Sequence, residues 1–92
     1  MSEQQTTHRV DRARVVWRQT GQEIVVLDTV GAVYYGLDRS GALLWELLVT
    51  GTPESELVAR LVRDAPVDPA QARKDVHTFL TELRRHGLLE PV

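Results

Sequence analysis

Apolar positions along the chain follow two periods, with the change at Leu37. Before it lie three short runs, RVVWR (Arg14–Arg18), EIVVLD (Glu23–Asp28) and AVYYGL (Ala32–Leu37). They are rich in β-branched and aromatic residues and are separated by the glycine-containing turns QTGQ and TVG, which predicts a three-stranded antiparallel meander. After Leu37 the spacing becomes helical. Leu43, Leu44, Leu47 and Leu48 predict a first helix, opened by Asp38 or Ser40 as cap and stopped by Gly51. Leu57, Val58, Leu61 and Val62 predict a second, with Thr52 as cap, Pro53 at its first position and Pro66 beyond its end. Ala72, Val76, Phe79, Leu80 and Leu83 predict a third. Asp68 caps it, Gln71 completes a capping box, and Arg84, Arg85 and His86 face the carbonyl end of its dipole. Gly87 stops it, and Leu88 and Leu89 return apolar surface to the core.

The expected architecture is therefore α+β, in the order β-β-β-α-α-α. Residues 1–12 are polar and aperiodic and read as a disordered arm, leaving 13–92 as one folded domain. The 92 residues suit a single small core. Trp45 and Leu47 read as core, while Trp17 fits core or surface equally.

Composition narrows the function. There is no cysteine, hence no disulfide framework and no thiolate chemistry, as in a cytoplasmic protein. No secretory signal and no membrane-length apolar run occur. The net charge of -2, from 11 basic and 13 acidic residues, argues against general affinity for nucleic acid. His8, His77 and His86 have no ligand partner at helical spacing, so no metal site is expected. No glycine-rich phosphate loop occurs, and no cofactor is expected. Ser40 and Ser55 read as helix-start residues, and Asp75 and Glu82 as carboxylates sharing one side of the last helix. The chain therefore reads as a protein without catalysis. The basic residues of the last helix, Arg73, Lys74, Arg84 and Arg85, also allow a DNA-binding helix, but Asp75 and Glu82 interrupt any phosphate-facing stripe.

The third strand carries neither charge nor proline, the usual guards of an exposed edge. Such an edge is either covered or kept open to accept a partner's strand. Tyr34 and Tyr35 must point to opposite faces, because strand side chains alternate.

Leu37-Asp38, Gly41, Trp45 to Leu48, Gly51-Thr52, Asp75-Val76, Phe79-Leu80, Leu83 and Gly87-Leu88 occur in an order that resembles the PqqD-like peptide-recognition family. The likeness spans roughly residues 14–90. It implies a winged helix-turn-helix-like fold that binds the leader of a ribosomally made precursor peptide as an added strand. Among its members, the chain most resembles the stand-alone recognition proteins of lasso-peptide clusters. The partners implied are the leader peptide, a leader peptidase and a macrocyclase, with no nucleic acid and no membrane. The resemblance places the peptide site on Ala32, Val33, Tyr34, Tyr35 and Gly36 of the third strand. It adds Arg73, Asp75, Val76, Phe79, Leu80, Glu82 and Leu83 of the last helix, with no catalytic residue. The rival readings are a peptide chaperone of pyrroloquinoline quinone synthesis and a small winged-helix DNA-binding protein.

Overall fold

The computed structural model describes residues 6–91. In chain order its elements are β1 (Thr7–His8), β2 (Val15–Thr20), β3 (Glu23–Asp28), β4 (Val33–Leu37), α1 (Arg39–Thr50), β5 (Thr52–Pro53), α2 (Glu54–Asp64) and α3 (Pro69–Arg85). Strands β2, β3 and β4 form an antiparallel sheet in that order, and three helices follow. This is the α+β order expected from the sequence.

One face of the sheet meets the helices. Val15, Ile24 and Val26 point inward and are buried with Ala42, Leu44, Trp45 and Leu48 of α1. Leu57 and Leu61 of α2, with Ala72, Val76, Leu80 and Leu83 of α3, close the core. Each buried Val, Leu or Ile among them contributes about 1.5–3 kcal/mol of apolar burial. Trp45 is fully buried and meets the half-buried Trp17 edge-on, with ring centroids 5.8 Å apart. The buried stripe of α1 runs through Gly41, Ala42, Leu44, Trp45 and Leu48, while Leu43 and Leu47 are only half-buried.

The helix ends hold two expected caps and correct two other expectations. Asp38 caps α1, its carboxylate accepting from the Gly41 N–H at 2.9 Å. The second helix starts later than predicted. Pro53 is its cap residue, and Thr52 is instead buried in β5. Asp68 caps α3 by accepting from the Gln71 N–H at 2.8 Å. The capping box is incomplete, because the Gln71 amide donates to Asp75 at 2.8 Å.

The expected disordered arm lies partly outside the described residues. From Thr7 onward the chain is held in place. Strand β1 pairs with β5, and Val10 is fully buried and bridges Leu89. The Val10 N–H donates to Leu48 and the Asp11 N–H to Leu88, both at 2.9 Å. The Arg9 guanidinium donates to the Thr50 carbonyl at the end of α1, at 3.3 Å. A single buried valine and an exposed helix end thus anchor a segment whose composition is polar.

Candidate functional site

The third strand is presented by a tight electrostatic knot. Asp28, at the end of β3, is buried. Its carboxylate takes Arg14 in a bidentate contact at 2.9 and 3.0 Å. It also accepts the N–H groups of Val30 and Gly31 at 3.0 and 3.1 Å. The Arg14 contact, joined by those N–H groups, lowers the Asp28 carboxyl to about 2 against the opposing pull of burial. A Cβ at Gly31 would lie 2.9 Å from the Asp28 carboxylate, so any other residue there must displace a carboxylate that Arg14 holds. The turn ends at Ala32, which has a φ of 57°.

Strand β4 is an edge strand, since only β3 pairs with it among the described residues. Which of its backbone groups face outward follows from the hairpin. Thr20 and Glu23 close a two-residue turn at Gly21, so they form a bonded pair, and bonded pairs alternate from there. The Thr29 N–H donating to the Arg14 carbonyl at 2.8 Å confirms the phase. Residues Ile24, Val26 and Asp28 therefore bond toward β4, opposite Leu37, Tyr35 and Val33. The backbone groups of Tyr34 and Gly36 point to the open edge.

Beside that edge runs a groove of about 660 Å³, within the usual range for binding clefts. Gly36, Leu37 and Asp38 form one wall, and Asp75 and Phe79 of α3 the other. Ser40, Gly41 and Leu44 of α1, Leu61 of α2, and the Ala65–Val67 connection complete it. Gly41 has a packing reason. A Cβ there would lie 3.3 Å from the Leu37 Cβ and 3.5 Å from the Phe79 ring. The tight approach is to Leu37, so glycine lets the first turn of α1 sit close against the end of β4.

The predicted site residues divide into groups. Gly36, Asp75 and Phe79 line the groove. Tyr35 is half-buried, its ring 4.9 Å from that of His86. Glu82 lies near His86 and Arg85, at 3.5 and 3.7 Å, rather than in the groove lining. Tyr34 is 70% exposed on the outer face of the sheet, with Val16, Val25 and Leu27. Val33 is exposed at the start of β4. Arg73 is exposed and is not among the groove's lining residues. Val76, Leu80 and Leu83 are buried on the inward stripe of α3 and are not among the residues that line this groove. Ala32 lies in the turn before β4, so it is no ladder residue. Sequence reasoning missed Leu37, Asp38 and Gly41 as lining, although all three belong to the ordered motif. It also missed Ala65, Pro66 and Val67, where Pro66 signalled only the end of a helix.

The sequence profile of coenzyme PQQ synthesis protein D (PqqD) matches residues 23–89. The chain belongs to the PqqD family. Two solved structures are similar to this PqqD-family chain. TbiB1, determined in complex with the TbiA(beta) leader peptide, is 30% identical with a TM-score of 0.83. That match covers 91% of this chain and 96% of TbiB1. A lasso peptide synthetase B1 complexed with its leader peptide is 25% identical with a TM-score of 0.79, over 91% and 98% of the two chains. No curated protein sequence is similar enough to match. Among the described residues, no helix is long and apolar enough to cross a membrane.

Proposed function

We propose that this PqqD-family protein binds, without catalysis, the leader segment of a ribosomal precursor peptide in lasso-peptide biosynthesis. The observation that carries the reading is the open, uncharged edge of β4 beside a largely apolar groove. A strand entering there gains main-chain bonds from Tyr34 and Gly36, while its alternate side chains drop toward Phe79. The similarity to two proteins solved with leader peptides supports the same occupant. The bound leader would hold the precursor for a leader peptidase and then a macrocyclase in the cytoplasm.

The test is a polarisation titration with the fluorescently labelled leader of the precursor encoded beside this chain's gene. Binding without metal or nucleotide is expected, weakened by Phe79→Ala. No binding at tens of micromolar would overturn the reading. The PqqD profile itself favours a second precursor, that of pyrroloquinoline quinone synthesis. The same titration with both peptides separates the pathways. For delivery, leader cleavage by the cluster's peptidase should accelerate when this protein is added.

A further inference from the structure

We infer that the groove selects a basic side chain in the docked strand, with Asp75 as the residue that reads it beside an apolar anchor on Phe79. This rests on the leader-binding reading above and concerns the sequence that the same groove accepts.

The groove's two ionisable lining residues are Asp38 and Asp75, and no basic residue lines it. The remaining lining is apolar or small apart from Ser40. A strand entering such a site meets negative charge over an apolar floor, a surface complementary to a cation beside an apolar or aromatic group. The two carboxylates differ in commitment. Asp38 holds the N-terminus of α1 through the Gly41 N–H, so its charge is largely answered by that helix end. Asp75 lies beyond the first turn of α3 and holds no helix end. Gln71, one turn earlier, donates its side-chain amide to one Asp75 oxygen at 2.8 Å. That bond orients the carboxylate one turn before Phe79 and forgoes the capping-box contact that the Asp68-x-x-Gln71 spacing offers. A cation on the incoming strand therefore meets an oriented acceptor, with its aliphatic stem free to lie along the apolar wall.

The experiment selects a displayed library of random peptides, long enough to span β4, on the full chain and on Asp75→Lys and Asp75→Asn. Position 75 is exposed, and circular dichroism checks that both variants fold. The parent chain is expected to enrich Lys or Arg at a fixed spacing from an apolar residue. Asp75→Lys should enrich Asp or Glu at that position, and Asp75→Asn should keep the apolar preference alone. For one selected peptide, Lys→Glu should weaken binding to the parent about tenfold and strengthen binding to Asp75→Lys. Peptides enriched without a basic residue, or a charge swap with the same effect on parent and variant, overturn the inference and leave leader binding standing. No enrichment, or enrichment of peptides indifferent to Gly36→Pro, overturns the leader-binding reading and this inference together.

Discussion

Proline placed along β4 separates strand addition from every other mode of binding. The ladder alternation directs the Gly36 N–H to the open edge and the Tyr35 N–H to β3. Gly36→Pro removes a donor that no intrachain ladder bond uses, at an edge position where proline is tolerated. A Cβ at Gly36 meets nothing within 4 Å, and the ring's Cδ would stand where an N–H faces the open edge. The stability change should stay within about 1 kcal/mol, a shift of some 4–8 °C or less for a domain of this size. Binding should suffer more. Loss of the donor leaves a leader carbonyl unanswered, which costs about 1–3 kcal/mol, or roughly five- to 150-fold in Kd. Tyr35→Pro is the contrast. It breaks a ladder bond to β3 and disturbs the ring contact with His86, so it should lower Tm sharply. Polarisation titration with the labelled leader and thermal melts of both variants supply the comparison. A folded Gly36→Pro protein that binds leader with unchanged affinity would refute strand addition at β4.

Three other expectations are accessible with the same assays. Tyr34→Ala should change stability by less than about 0.5 kcal/mol, as for an exposed position, whereas Tyr35→Ala should lower Tm through the lost contact with His86. Leu80→Ala should cost about 2–5 kcal/mol of stability by opening the core, while the fraction still folded binds leader normally; weakened binding at full stability would return Leu80 to the groove. The Asp28 carboxyl is lowered to about 2 from 3.8, so its stabilising contribution is complete above the unfolded value and is lost as pH falls toward about 2. Acid-range thermal melts check this: Asp28→Asn should flatten that part of the pH dependence, and an unchanged profile would show that Asp28 contributes none of it.

The order of elements was legible because each signal was local. The change of period at Leu37, the caps Asp38 and Asp68, and the stop at Gly51 all act within one turn of their positions. Strand alternation likewise separated Tyr34 from Tyr35. The N-terminal strap was not legible, because its evidence is non-local: β1 meets β5, and Val10 meets Leu89, far along the chain. The same limit hid half of the groove. Leu61 and Val67 become lining only when the α2–α3 connection folds back toward β4. Ala32 misled for a different reason, since a left-handed turn residue without glycine gives no signal of its own. Period alone cannot tell which buried side chains of a stripe also border a cleft: Leu44 and Leu61 are buried and line the groove, whereas Val76, Leu80 and Leu83 are buried and do not.

The contact between Arg9 and Glu90 has a consequence for architecture beyond this chain. The Glu90 N–H donates to the Arg9 carbonyl at 2.8 Å, so the chain just after β1 runs beside the last residues of the fold. A domain with adjoining ends can be spliced into a surface loop of another protein without stretching either polypeptide. Neither Arg9 nor Glu90 lines the β4 groove. Grafted through the residues that flank β1 and Glu90, the domain would become a portable docking module, lending its host enzyme a built-in handle for substrate.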